Sequence, residues 1–99
     1  MTTVSKYSIK AFLEVLPTHF GGRRTSIHNG YRPQFYYKGR DWDCRFVNLK
    51  EPIKPGDREE VYLQFLSPHL HKDQIYTGMP FLLREGNHIV AFGSSKSEF

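Results

Sequence analysis

Histidines are the side chains of this sequence that catalysis and metal binding use most often, and two of the five are close enough to act together. His69 and His71 would share one face of a strand, where they could hold a metal ion with Asp73 as a third donor. The segment follows Pro68, however, and its polar composition is typical of an exposed loop. We therefore predict no metal site, and sequence order alone defines no Ser-His-Asp arrangement.

The remaining candidates for catalysis are a single thiol and pairs of acids. Cys44 is the only cysteine, so neither an internal disulfide nor a cysteine-based zinc site can form. It lies in a strand-like run with no histidine close in sequence, which favours a buried structural thiol. Asp41 and Asp43 lie between Arg40 and Arg45, which is typical of ionised, charge-paired acids. No glycine-rich loop is followed by Lys and Ser or Thr, so nucleotide hydrolysis has no motif. We expect no enzymatic activity, no catalytic residues and no cofactor.

A basic segment is the most informative chemical feature. The formal net charge is +4, and residues 23–45 hold six basic and two acidic side chains, which accounts for the whole excess. Arginine forks suit phosphate oxygens, and exposed aromatic rings can stack on bases. The aromatic residues within the segment are Tyr31, Phe35, Tyr36, Tyr37 and Trp42. Because most of these rings are expected in the core of so small a protein, the cations are the better contact candidates. The segment indicates a polyanion or an acidic partner.

Short strands must position these residues. Alternation of apolar and polar residues predicts strands over residues 7–16, 34–37, 42–49, 61–66, 81–84 and 88–92. A helix competes for the first segment, because Phe12 and Leu16 break its alternation. Turn signals separate the segments, among them Asn29-Gly30 and Pro55-Gly56-Asp57. Six strands predict a small antiparallel barrel or sandwich, since only closure or face-to-face packing hides their edges.

The length of 99 residues fits one domain, because a chain of this size buries about 65% of its unfolded surface in a single core. We expect that domain to span residues 1–99, with a core over about 6–93 and a frayed polar tail over 94–99. No segment has the length or apolar character of a signal peptide or membrane span. With one cysteine, the expected location is the cytoplasm.

Several strings of residues together resemble the C-terminal barrel, domain III, of elongation factor Tu. They are Gly-Gly-Arg-Arg-Thr at 21–25, Gly-Tyr-Arg-Pro-Gln-Phe-Tyr at 30–36, Pro-Gly-Asp at 55–57 and Phe-Leu-Leu-Arg-Glu-Gly at 81–86. They occur in the family's order at nearly its spacing, and the likeness covers about residues 6–93. The resemblance implies an all-β fold: a single six-stranded antiparallel closed barrel with no activity of its own. In the family this barrel packs against the GTPase domain and the second barrel, binds the T-stem of aminoacyl-tRNA, and contacts the nucleotide-exchange factor.

The resemblance also adds site residues. Family positions near the tRNA match here at Gln34, Glu85 and Gly86. Two other such positions hold Asp43 and Ser67, where the family commonly has Thr and often a basic residue. With the basic segment, the predicted RNA- or partner-binding residues are Arg23, Arg24, Arg32, Gln34, Lys38, Arg40, Glu85 and Gly86.

Three hypotheses follow for the function. The chain is a non-enzymatic, translation-related binding module that contacts tRNA or ribosomal RNA through the basic segment. Alternatively, it is a protein-interaction module that docks on a GTPase or competes for partners of the full factor. A third interpretation is a truncated piece of a divergent elongation factor. No membrane partner or small-molecule substrate is expected, and the sequence does not define the oligomeric state.

Overall fold

Six antiparallel strands form the framework of the computed structural model, which describes residues 8–99. The strands are β1 (Ser8–Val15), β2 (Gln34–Tyr37), β3 (Arg40–Val47), β4 (Arg58–Phe65), β5 (Pro80–Glu85) and β6 (His88–Ser95). They close in the order β1-β4-β3-β2-β5-β6, and every pairing is antiparallel. Closure leaves no unpaired sheet edge. The predicted closed barrel is therefore confirmed, and the sandwich alternative is wrong.

The first segment forms a strand, β1, and not the helix that the sequence left open as an alternative. Ile9, Ala11 and Leu13 are fully buried, while Phe12 lies on the outer face of the sheet. β1 pairs with β4 over residues 8–14 and with β6 over residues 11–15, so most of its backbone groups can be satisfied within the sheet. The predicted first residue of this strand, Tyr7, lies outside the described residues.

Aromatic side chains fill much of the barrel, but only two of the five in the basic segment, Phe35 and Tyr37, are buried there, fewer than expected, while Tyr31 and Trp42 are partly buried against the core. Phe35 is fully buried, stacked on Phe81 at 4.3 Å and edge-on to Phe65 at 5.0 Å. Such pairs add about 0.5–1.5 kcal/mol beyond the area that they bury. Tyr37 is also buried.

Cys44 faces the same interior. It is buried, and its thiol donates a hydrogen bond to the carbonyl oxygen of Pro33 at 3.5 Å. Burial raises the pKa of this thiol, so it stays protonated. The predicted structural role is confirmed.

The connections between strands gather at the two ends of the barrel. The β2–β3 turn (38–39), the β4–β5 connection (66–79) and residues 96–99 lie at one end, here called the Trp42 end. The β1–β2 connection (16–33), the β3–β4 connection (48–57) and the β5–β6 turn (86–87) lie at the other, the Arg23 end. A four-residue strand, β2, joins the two ends within the basic segment.

Residues 94–99 are more ordered than their polar sequence suggests. β6 continues to Ser95, which pairs with Ala11, and Lys96 then donates its backbone N–H to the carbonyl oxygen of Lys10 at 2.8 Å. The ring of Phe99 packs edge-on against Phe65 at 5.7 Å. Sheet pairing and one aromatic contact thus hold the segment that was expected to fray.

Candidate functional site

At the Arg23 end, the guanidinium of Arg23 fastens the β1–β2 connection to the β5–β6 hairpin. Its Nη1 lies 2.5 Å from Glu85 Oε2, and its Nη2 donates to Thr25 Oγ1 at 3.0 Å. The guanidinium also lies 4.2 Å from the centroid of the Tyr31 ring, and the Tyr31 hydroxyl donates to the same carboxylate oxygen of Glu85. Only 19% of the Arg23 side chain is exposed. Arg23 and Glu85, both predicted contact residues, are therefore bound to each other.

The electrostatics of this cluster keep it charged at neutral pH. The hydrogen bond from Tyr31, supported by the charge of Arg23, lowers the pKa of Glu85. Burial, together with the hydrogen bond to Glu85, raises the pKa of Tyr31. Glu85 is thus ionised and Tyr31 neutral. The arrangement is a fixed ion pair that positions a loop, with no group poised to transfer a proton.

Two further arginines beside this cluster face solvent. Arg24 and Arg32 are exposed, and within residues 8–99 neither forms an ion pair. Gln34 begins β2 at the same end of the barrel, opposite Arg84 on one side and Asp43 on the other. Its side-chain oxygen is buried and has no hydrogen-bond partner among the described residues. This end of the barrel therefore carries two exposed cations without an ion-pair partner among residues 8–99, and one buried acceptor without a hydrogen bond there.

The outer face of β2 continues into an ion pair that the sequence did not indicate. Arg84 binds Asp41 through both carboxylate oxygens, at 2.5 and 3.1 Å, and its guanidinium lies 4.3 Å from the ring centroid of Tyr36. Asp41 was expected to pair with arginines of its own segment. Alternation places Arg40 on the opposite parity, so the partner comes from β5 instead. Asp43 is exposed, and no salt bridge given for residues 8–99 includes it.

At the Trp42 end, Lys38 and Arg40 flank a small pocket. Lys38 Nζ donates to Gln74 Oε1 at 3.1 Å, and the Arg40 guanidinium lies 4.6 Å from the centroid of the Trp42 ring. Arg32 and Lys38 are six residues apart, which is about 20 Å along extended chain. The predicted contact residues therefore form two groups at opposite ends of β2. Arg23, Arg24, Arg32, Gln34, Glu85 and Gly86 form one group, and Lys38 and Arg40 form the other.

His71 supports this pocket from inside the barrel, contrary to the exposed loop expected for its segment. It is 1% exposed, stacks on Phe65 at 3.9 Å, and lies edge-on to Trp42 at 4.7 Å. Its Nδ1 lies 2.6 Å from the Tyr37 hydroxyl oxygen. Burial lowers its pKa to about 4, so the ring is neutral at neutral pH. His69, by contrast, is exposed, so the two histidines do not share a face.

Sequence reasoning missed the β4–β5 connection as part of a site. Leu70 and Gln74 line the pocket beside Trp42, and His71 lies behind it. The available signal was Ile75 and Met79, two apolar residues of a mainly polar segment, both of which are buried. Such residues indicate a connection that folds back on the barrel.

The fold and these surfaces define a class: a small closed antiparallel barrel that presents cations at both ends. Residues 2–97 match the family model described as the elongation factor Tu C-terminal domain. The chain therefore belongs to that family, which confirms the resemblance seen in its motifs. It is a translation-related module, and it corresponds to a non-catalytic domain of that factor.

Two statements about the chain stay predictions after this comparison, the absence of enzymatic activity and the cytoplasmic location. Within residues 8–99, no helix has the length and apolar character to cross a bilayer.

Proposed function

We propose that this chain is a non-enzymatic RNA-binding module of translation, and that its Arg23 end contacts structured RNA such as tRNA. The observation that carries the proposal is that Arg24 and Arg32 are exposed at the Arg23 end and form no ion pair within residues 8–99. The planar guanidinium of an exposed arginine suits phosphate oxygens, so the two side chains can bind an RNA backbone. The Arg23–Glu85 pair holds the loop that carries Arg24.

Charge favours a polyanion such as RNA at this surface. Phosphate contacts supply most of the affinity of such modules, and each contact formed by a lysine or arginine releases a counterion. The formal charge of +4 adds a long-range attraction to any polyanion. Asp43 is an exposed carboxylate on the adjoining strand. Its negative charge repels phosphates, so the proposed contact lies with Arg24 and Arg32 instead.

The test is a filter-binding titration of tRNA and of a short RNA duplex at about 50 mM salt. The double variant Arg24→Gln/Arg32→Gln should bind about tenfold more weakly, and the slope of log affinity against log salt should fall by about 1.8. Lys54→Gln/Lys72→Gln is the matched control, because it removes the same charge from two other exposed positions. Equal losses in the two double variants, or no binding by the unaltered chain, would overturn the proposal.

Protein docking is the second candidate, and a different surface favours it. Phe12 and Phe92 are 40% and 42% exposed and are diagonal neighbours on the outer face of β1 and β6. Exposed aromatic pairs are enriched in protein interfaces. Capture of partners from a nuclease-treated lysate tests this candidate. A translation GTPase that is retained by the unaltered chain and lost with Phe92→Lys would favour docking, whereas loss of every partner on nuclease treatment would favour RNA.

A further inference from the structure

The Trp42 end of the barrel contains a pocket of about 290 Å³. It is lined by Tyr37, Lys38, Arg40, Trp42, Leu70 and Gln74. No carboxylate is among these lining residues, although acidic side chains make up 10 of the 99 residues of the chain. Its electrostatic character is therefore positive, and it suits an anionic ligand.

The barrel itself builds this pocket. Tyr37 pairs with Arg40 and Phe35 with Trp42, so Arg40 and Trp42 point to the interior side of the sheet where β3 begins. At this open mouth the β4–β5 connection crosses and adds Leu70, which is 49% exposed, and Gln74. Three of the lining residues, Tyr37, Arg40 and Trp42, therefore stand on paired strands, which hold side chains more rigidly than loops do.

Two contacts fix the aromatic wall of the pocket. The Arg40 guanidinium lies over the Trp42 ring, and the edge-on contact with buried His71 supports that ring from behind. His71 is in turn held by Tyr37 through the 2.6 Å contact between Nδ1 and the phenol oxygen. The ring and its guanidinium are thus preorganised, which lowers the entropy cost of binding a flat ligand.

We infer that this pocket binds one unpaired nucleotide of an RNA. Its base would pack against Trp42, the Arg40 guanidinium and Leu70, and its phosphate would lie between Lys38 and Arg40. Bases in a duplex are stacked on each other, so only an unpaired base can enter such a site. The volume is near the lower limit of about 300 Å³ for ligand pockets, which suits one nucleotide rather than two. The inference rests on the proposed RNA-binding function and adds a second, chemically different contact about 20 Å from the first.

Trp42 gives a direct readout, because it is the only tryptophan of the chain. Single-stranded oligonucleotides of six uridines or six adenosines should quench its fluorescence on titration. A fully paired duplex should bind, as seen from the anisotropy of labelled RNA, without quenching Trp42. An acidic peptide of equal charge is the comparison ligand for a protein partner.

Leu70→Glu is the informative variant, since it places a carboxylate in the pocket at a half-exposed position. Leu66→Glu is its matched control, because Leu66 begins the same connection, is 41% exposed, and does not line the pocket. Leu70→Glu should weaken single-stranded binding about tenfold and leave duplex binding within about twofold, whereas Leu66→Glu should change neither by more than about twofold.

The outcomes separate this inference from the proposed function. Duplex or tRNA binding without any quenching by single strands overturns the pocket and leaves the proposed function standing. Absence of binding to every RNA overturns both. Equal effects of Leu70→Glu and Leu66→Glu, or equal quenching by the acidic peptide, also overturn the nucleotide site, and the latter result identifies a peptide site.

Discussion

The two ends of the barrel each place an arginine over an aromatic ring, but the two arginines differ in what else they bind. Arg23 lies over Tyr31 and is also paired with Glu85, which fixes its charge within the molecule. Arg40 lies over Trp42, and no ion pair given for residues 8–99 includes it. A nearby carboxylate thus decides whether a cation supports the fold or stays open to a ligand. Counting basic residues in a segment does not distinguish these cases.

The ends also differ in how their long connections are held. The Arg23 end relies on a partly exposed ion pair and on a close backbone approach at Gly22, where an added Cβ would lie 2.1 Å from the carbonyl oxygen of Leu16. The Trp42 end relies on His71, a buried neutral ring. The stability of the Arg23 end should therefore depend on salt and on backbone crowding, and that of the Trp42 end on mild acid.

The largest expected effect is that of Gly22→Ala. The methyl group would overlap backbone atoms of Leu16 and Pro17, which cannot move without displacing the connection. We expect a loss of about 3 kcal/mol or more in the free energy of unfolding, measured by urea denaturation. Gly39→Ala at the Trp42 end is the control, because it meets no atom within 4 Å and has only its positive φ of 77° to strain it. That strain should cost about 1 kcal/mol. Equal losses would show that the Arg23 end is not more tightly packed.

Acidification should lower stability through His71 at the Trp42 end. The pKa of His71 is lowered from about 6.5 in the unfolded chain to about 4 in the folded one, so the unfolded state binds the proton first. Stability is then complete above pH 6.5 and falls as the pH drops toward 4. Between pH 7 and pH 5 we expect a loss of about 2 kcal/mol, before the carboxylates titrate.

Two histidine variants check this assignment by urea denaturation at both pH values. His71→Gln should remove most of the pH dependence, although it also lowers stability at pH 7 by removing the ring from its stack on Phe65. His69→Gln, at an exposed position two residues earlier, should reduce the dependence only slightly, because the charge of His69 is a smaller cause of the lowered His71 pKa than burial is. If the pH dependence of stability persisted in His71→Gln, His71 would not be its cause.

The sequence was sufficient for the fold because alternation and turn signals are local. The burial of Ile9, Ala11 and Leu13 around exposed Phe12 follows directly from period-two spacing. Alternation did not distinguish a closed barrel from a sandwich, because strand order depends on pairings between residues distant in sequence. The prediction of a closed barrel rested on the family motifs. The contacts within the site could not be predicted from the sequence for the same reason. The partner of Asp41 is Arg84, 43 residues away, and only the register of β2, β3 and β5 brings them together.

A smaller effect is expected from Glu85→Gln, which tests the ion pair at the Arg23 end. Glutamine keeps an acceptor for Tyr31 but removes the charge that Arg23 faces. Because both side chains are partly exposed, the loss should be about 1 kcal/mol at low salt and smaller at about 1 M salt. The lowered pKa of Glu85 means that its contribution is present above its unfolded pKa and is lost as the pH falls through the folded value.

Glu85→Gln should therefore flatten the stability profile only below about pH 4.5, a range distinct from that of His71. The same variant releases Arg23, so tRNA should bind more tightly if the Arg23 end is the RNA surface. Lys10 and Lys96 pair with Glu60 on the barrel wall, so Glu60→Gln is the control for releasing cations elsewhere. Equal tightening in the two variants would mean that only net charge matters.

The smallest expected effect on stability is that of Arg40→Gln, and it gives the sharpest contrast between the ends. The Arg40 guanidinium contacts a half-exposed ring, and such cation–π contacts contribute about 0.5–1 kcal/mol. Arg23→Gln removes an ion pair, a hydrogen bond to Thr25 and a ring contact together, so its loss should be about 2 kcal/mol. In single-strand binding the order should reverse, with Arg40→Gln weakening the quenching of Trp42 and Arg23→Gln leaving it nearly unchanged. If Arg40→Gln were the more destabilising of the two and left quenching intact, the contrast would be wrong: Arg40 would support the fold and would not bind a ligand.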